Sequence, residues 1–143
     1  MNSARGLRNK NPLNIIKSDV KWQGEVRPST DSHFAQFETM EYGLRAAMKL
    51  LRTYYERHAR RTVRLIVGRW APETENNVNA YVSRVCRLTG LAADVPLPPM
   101  KSETRVVWCD LVLAMATVEC ALSTKEREEL APLVARAWTM AVG

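Results

Sequence analysis

The chain has 143 residues, 46% of them apolar, and carries 21 Lys+Arg against 15 Asp+Glu for a formal net charge of +6. That length suits a single domain, residues 1–143, with enough apolar side chains for a sizeable core. No stretch approaches the roughly 18 consecutive apolar residues of a membrane span, and the polar start Met1–Asn11 lacks the apolar segment of a secretory signal. The expectation is therefore a protein without membrane insertion and without a signal peptide.

The charge is uneven. Residues 1–70 hold 14 Lys+Arg and 6 Asp+Glu, a surplus of +8, whereas residues 71–143 hold 7 and 9, a deficit of −2. A basic half of this kind suits a polyanion: nucleic acid, anionic lipid or an anionic cell wall. Three cysteines, Cys86, Cys109 and Cys120, fit neither a disulfide framework nor a zinc ribbon and read as small core residues. His33 and His58 stand alone, so no metal and no cofactor is expected.

In chain order, the first 38 residues alternate apolar and polar positions in short runs. Leu13–Lys17, Lys21–Val26 and His33–Phe37 predict a small meander of strands, joined at Ser18-Asp19 and Pro28–Asp31. The period changes at Thr39. Tyr42, Ala46, Leu50 and Tyr54 recur every fourth residue, predicting a helix capped by Thr39 and running to about Ala59. A shorter helix carries Val63, Ile66, Val67 and Trp70 and stops at Ala71-Pro72. A third begins after Asn76-Asn77 and ends at Thr89-Gly90. Pro96, Pro98 and Pro99 mark residues 91–102 as an extended connector. The next helix, from about Glu103 to Ala121, is apolar almost all round and reads as the central buried one. Ser123–Glu126 has the pattern of a capping box, and Pro132 predicts a break or kink in the last helix. The fold class is mainly α (α+β), with a small N-terminal β region.

The residue that stands out chemically is Glu119. It lies between Val118 and Cys120 near the end of the most apolar helix, where an ionised carboxylate is costly and a proton is held more tightly. A glutamate protonated near neutral pH is what a general acid of glycoside cleavage requires, while the bland alternative is a side chain that reaches solvent or pairs with an arginine. Glu38 is the best second carboxylate, or simply a residue before the long helix. In the front segment, Asn9, Asn11, Asn14 and Gln23 offer amides that both donate and accept, as sugar hydroxyl and acetamido groups demand, and Trp22 offers an apolar face for a ring. Turn formation is the alternative for the asparagines. Trp70 and Tyr81 fit core packing or sugar stacking, and Glu73 and Glu75 suit a helix start. The run Arg57, Arg60, Arg61, Arg64 reads first as a solvated face, next as an anionic-wall contact, and third as a nucleic-acid contact.

A resemblance bears on these alternatives. Arg5-Gly6-Leu7-Arg8-Asn9-Lys10-Asn11-Pro12-Leu13-Asn14-Ile15, then Trp22-Gln23-Gly24, Phe34–Thr39, Tyr42–Ala46, Arg69–Pro72, Glu75-Asn76, Ala80–Val82 and Thr89-Gly90 follow one another in order. This series, spanning about residues 5–122, resembles a phage and prophage family described as virion structural or lysozyme-like proteins. More distantly it is similar to bacterial glucosaminidases and lytic transglycosylases. In those enzymes the catalytic-Glu helix precedes the Asn-rich block, whereas here it follows, so the resemblance implies a lysozyme-like fold, possibly circularly permuted. In relatives the late helix ends in a pattern like H-E-N-G, and here it reads Val118-Glu119-Cys120-Ala121, with only the Glu retained.

The resemblance implies peptidoglycan as partner and glycan-strand cleavage of the muramidase or lytic transglycosylase type. Glu119 would act as general acid with Glu38 assisting, and Asn9, Asn11, Asn14, Trp22, Gln23, Trp70 and Tyr81 would hold substrate. The protein would reside in the phage virion or host cytoplasm and act on the bacterial wall. The second reading is a non-catalytic virion or cell-wall-binding protein that keeps the fold. The third is a DNA-binding protein, against which stands the lack of a base-reading element.

Overall fold

The computed structural model describes residues 4–71 and 75–142. Helices dominate. A single turn, α1 (Arg5–Arg8), precedes a two-stranded antiparallel sheet of β1 (Glu25–Val26) and β2 (Gln36–Phe37), paired Glu25 with Phe37 and Val26 with Gln36. Then follow α2 (Met40–Arg57), α3 (Val63–Trp70), α4 (Glu75–Thr89), a 3₁₀ turn at Ser102–Thr104, α5 (Arg105–Cys120) and α6 (Thr124–Ala141).

The caps explain the starts. Thr39 is extended and its hydroxyl accepts the Tyr42 N–H at 3.2 Å, and Thr62 does the same for Leu65 at 3.2 Å. Ser123 and Glu126 form the reciprocal capping box expected of them, at 3.1 and 2.9 Å. Helix α5 is the central one: Trp108, Leu111, Val112 and Met115 are fully buried, against α4 on one side and α6 on the other. Each such side chain contributes about 1.5–3 kcal/mol of hydrophobic stabilisation.

Several expectations need correction. The segment 13–17 is not a strand; its backbone pairs with residues 33–35 at an isolated bridge, Ile16 to Phe34, through the Ala35 N–H on the Ile15 carbonyl and the Lys17 N–H on the His33 carbonyl, both 3.0 Å. Asn14 takes a left-handed conformation (φ 55°), which interrupts an extended path. The expected strand 21–26 shrinks to its last two residues because Trp22–Glu25 forms a turn, closed by the Glu25 N–H on the Trp22 carbonyl at 3.1 Å. Helix α1 carries no periodic signal at four residues long. Pro132 does not break α6, which continues to Ala141. A proline at 132 leaves the carbonyl of 128 without its helical donor, but both residues are exposed, so water can supply the bond. Pro72 and Glu73 lie outside the described residues, as does the side chain of Glu75.

The proline-rich connector is fastened rather than loose. The Leu97 N–H bonds the Arg61 carbonyl at 2.7 Å, Tyr55 Oη donates to the Leu97 carbonyl at 2.8 Å, and Trp108 Nε1 donates to the Pro98 carbonyl at 3.0 Å. Tyr55 and Trp108 meet edge to face at 5.7 Å.

The front segment is held by one carboxylate and two glycines. Asp31 receives Arg5 through Nε and Nη2 (2.7 and 2.6 Å), Asn9 Nδ2 (2.9 Å), and the N–H groups of His33 and Phe34 (both 2.8 Å). These donors, Arg5 foremost, hold the Asp31 carboxyl well below the usual carboxylate range. The chain from Gly6 to Asn14 then lies directly on two helices. A Cβ at Gly43 of α2 would sit 2.0 Å from the Lys10 carbonyl oxygen, and one at Gly6 would sit 2.6 Å from Cys120 Sγ at the end of α5.

Replacing Gly43 by Ala is expected to destabilise the protein. Helix propensity favours Ala by up to about 1 kcal/mol, but overpacking against an immovable backbone oxygen costs roughly 1–3 kcal/mol, so urea unfolding should show a net loss. Asp31→Asn gives a pH-dependent loss. Because the folded-state carboxyl is depressed, its stabilisation is fully present above the unfolded value of about 3.9 and fades as pH falls below it. Unfolding midpoints of wild type and Asp31→Asn should therefore differ most at pH 5–7, with the gap narrowing as pH falls below about 4 but not yet closed at pH 2–3; a gap independent of pH would count against the assignment.

Candidate functional site

The site begins with Asn11. Its side chain is fully buried and wholly used by backbone: Nδ2 donates to the Ile15 and Ala35 carbonyls (3.0 and 2.9 Å), and Oδ1 accepts the Ile15 N–H (2.9 Å). Those bonds turn the chain tightly through Pro12 and Leu13 and set Asn14 in its left-handed conformation. Two further bonds fix the turn from outside. Trp70 Nε1 donates to the Leu13 carbonyl at 2.8 Å, and Cys120 Sγ donates to the Pro12 carbonyl at 3.3 Å.

So placed, Asn14 meets Glu119. Asn14 Nδ2 donates to Glu119 Oε1 at 2.9 Å, with a longer approach of 3.4 Å to the Glu119 carbonyl. From α4, Tyr81 Oη donates to Glu119 Oε2 at 3.0 Å and also lies 3.4 Å from the Met115 carbonyl. Both carboxylate oxygens thus accept from side chains that lie far away in sequence. Burial, with the Glu119 carboxylate alongside, pushes the Tyr81 phenol well above its ordinary range. Burial, with Glu119 as neighbour, likewise pushes the Cys120 thiol up to about 11. Both remain protonated donors through the neutral range. Asn14 Oδ1 is buried without a hydrogen-bond partner, beside the space where a Cβ of Gly6 would be.

Glu119 opens on a cleft of about 360 Å³ lined by Ala71, Asn77, Ala80, Tyr81 and Val118. That volume lies within the span of small-molecule clefts, roughly 300–1,000 Å³. Among the described residues Glu119 is the only carboxylate lining it, and no group of three or more His, Cys, Asp or Glu could hold a metal ion. No helix of the described residues is long and apolar enough to cross a membrane.

Of the residues singled out from sequence, Glu119, Asn14 and Tyr81 come together in one contact set. Trp70 is next to it, its indole bound to Leu13 and packed edge to face on Tyr54 at 5.6 Å. Asn11 shapes the turn from within the core. Asn9 lies apart, bonded to Asp31 and accepting from Gln36 Nε2 at 3.1 Å. Trp22 packs half-buried on the front of the core, Gln23 is exposed, and Glu38 is exposed at the end of β2, outside the Glu119 cleft. Sequence reasoning gave no site role to the cleft residues Asn77, Ala80 and Ala71, and did not foresee that Asp31 ties the front segment together. Nothing in a Ser-Thr-Asp turn signals a bidentate arginine 26 residues away.

The helix end that follows Glu119 bears on the departure from H-E-N-G. Ala121 adopts φ 49°, ψ 51°, the left-handed cap that glycine takes at lowest cost. Ala121→Gly is expected to raise the thermal midpoint by a few degrees. The relieved backbone cost of about 1–2 kcal/mol exceeds the unfolded-state entropy of glycine, roughly 0.5–1 kcal/mol. An unchanged or lower midpoint in thermal unfolding would contradict this.

No family model matches the chain. It is similar to Protein P5 of Pseudoalteromonas phage PM2, with 40% identity over 92 residues, which cover 62% of this chain and 58% of that protein. The chain therefore spans somewhat more than half the length of a phage-encoded relative.

Proposed function

We propose that the protein is a phage- or prophage-derived, wall-glycan-binding protein carried in the virion. In this reading it has a lysozyme-like helical fold that holds a peptidoglycan strand at the Glu119 cleft without cleaving it. The observation that carries the reading is the clamp on Glu119, whose two oxygens accept from Asn14 at 2.9 Å and Tyr81 at 3.0 Å. A general acid must present a proton to the glycosidic oxygen, and most glycosidases need a second carboxyl across the bond. In the described part of this cleft a lone carboxylate is already engaged by protein donors. The similarity to a phage protein supports a phage origin. Loss of the His, Asn and Gly positions around Glu119 supports a copy that binds without cutting. The meeting of Asn14 with a glutamate 105 residues later supports the circularly permuted arrangement.

A second reading, glycan cleavage with Glu119 as general acid, is favoured by one observation. Tyr81 Oη lies within reach of both Glu119 Oε2 and the Met115 carbonyl, at 3.0 and 3.4 Å. The phenol can donate to the ionised carboxylate, or turn its proton to Met115 and accept from the protonated acid. Such a partner accommodates both states of an acid–base cycle. The sugar's own acetamido group would then stabilise the developing positive charge.

Purified sacculi distinguish the readings. Wild type is expected to sediment with sacculi and release no muropeptides detectable by mass spectrometry. Glu119→Gln, which removes the carboxylate charge and one of its two acceptor oxygens, should be retained several-fold less. Muropeptide release by wild type that disappears in Glu119→Gln would establish the second reading, with anhydro ends marking a transglycosylase. Neither retention nor release would overturn both.

A further inference from the structure

Residues 57–93 carry seven Arg against two Glu, with no Lys and no Asp, so this quarter of the chain supplies +5 of the net +6. That every cation there is arginine matters, because the planar guanidinium fork matches the oxygens of phosphate in a way that a lysine ammonium does not. In the fold, α3 and α4 pack side by side. Between them and residues 91–93 runs a groove of about 540 Å³, lined by Arg64, Asn79, Ser83 and Arg87 with apolar walls from Val82 and Leu91.

Arg64 is preset for an anion. Its Nε donates to Asp94 Oδ1 and its Nη1 to Asn79 Oδ1, both at 2.9 Å. The Arg64–Asp94 pair is loosely held, since the two side chains are 44% and 71% exposed, and an exposed pair is easily exchanged for a better anion. Arg87 is exposed and forms no ion pair among the described residues. Helix α4 separates this groove from the Glu119 cleft: Asn77, Ala80 and Tyr81 line the cleft, and Asn79, Ser83 and Cys86 line the groove.

We infer that the α3–α4 groove binds the phosphate of a sugar-phosphate unit, the repeating chemistry of an anionic wall polysaccharide. Arg64 and Arg87 grip the phosphate oxygens, Ser83 and Asn79 meet neighbouring hydroxyls, and Val82 and Leu91 take the apolar face of the ring. A concave groove with an apolar wall fits a single phosphorylated sugar, whereas duplex DNA presents its phosphates on a convex rod and asks for a broad basic surface. The wall as the source of that sugar phosphate rests on the function proposed above; the recognition of phosphate does not.

The test titrates the full chain with glucose 1-phosphate, inorganic phosphate, glucose and a short DNA duplex, followed by calorimetry and amide chemical shifts. Glucose 1-phosphate is expected to bind more tightly than phosphate or glucose, with shifts at α3 and α4. Arg64→Gln and Arg87→Gln should each weaken it by roughly tenfold, the cost of a lost charged hydrogen bond. Asp94→Asn should tighten it by removing the competing carboxylate. Unfolding midpoints of the variants serve as the control for folding. Glu119→Gln should leave this binding unchanged, so failure of the cleft reading and failure of the groove show separately. No binding of the sugar phosphate, or binding that survives the Arg64→Gln/Arg87→Gln double substitution, would overturn the proposal. So would tighter binding of the duplex that the double substitution abolishes, which would reassign the groove to nucleic acid.

Discussion

The structure depends on a backbone pressed against backbone. At Gly43 the α2 helix and the Lys10 carbonyl approach so closely that no side-chain carbon fits between them, and at Gly6 the same strip of chain rests on Cys120. This intimacy lets a segment with little regular structure behave as part of the core. Asn11 and Pro12 are buried, and Leu13 is fully enclosed. Buried polar groups are tolerated only when satisfied, which the Asn11 amide achieves by standing in for missing sheet bonds at Ile15 and Ala35. The hub at Asp31 does the same work at the rim, tying α1 to the turn before β2 through Arg5 and Asn9.

From that framework follows the electrostatic character of the cleft. Glu119 is reached from the front by an amide and from α4 by a phenol, while its chain neighbour Cys120 turns to the Pro12 carbonyl. Burial raises the pKa of the Tyr81 phenol and the Cys120 thiol, so both stay protonated beside the carboxylate. Among the described residues, the side chains that reach its oxygens from Asn14 and Tyr81 are neutral donors. The arginines instead gather on the other flank of α4 and around the end of α2, where Arg61 and Arg69 stack on Tyr55 and Tyr54 at 5.1 and 4.9 Å. One helix therefore divides the hydrogen-bonding cleft at Glu119 from the groove that holds Arg64 and Arg87.

How much of this was legible in the sequence varies with the physics. Helices α2, α3 and α4 were readable because burial of one face imposes a period, α5 because it is apolar almost all round, and α6 from its capping box, with Thr39 and Ser123 where hydroxyl caps belong. The isolation of Glu119 in an apolar run was readable for the same reason. In the front segment the small β region was legible, but its strands were overread in length. Only 25–26 pairs with 36–37. Residues 13–17 reach one bridge, at Ile16 to Phe34, beside which the Asn11 amide bonds Ile15 and Ala35. The function of each asparagine was hidden, since Asn9, Asn11 and Asn14 look alike in sequence yet bond to Asp31, to backbone and to Glu119 respectively. Pro132 misled because proline's cost depends on whether water can reach the carbonyl it abandons. The αL conformation of Ala121 was invisible because the sequence offers alanine where that geometry favours glycine.

The bond between Asn14 and Glu119 spans 105 residues, and the neighbouring bond from Cys120 to Pro12 spans 108. During synthesis the first of each pair emerges early and waits, with α2, α3 and α4 made in the interval, until α5 arrives. Contacts of such long sequence separation form late and close large loops. The cleft is consequently among the last features a growing chain can complete, and a polypeptide interrupted before residue 119 would hold every residue of the arginine groove but lack the carboxylate on which the cleft is built.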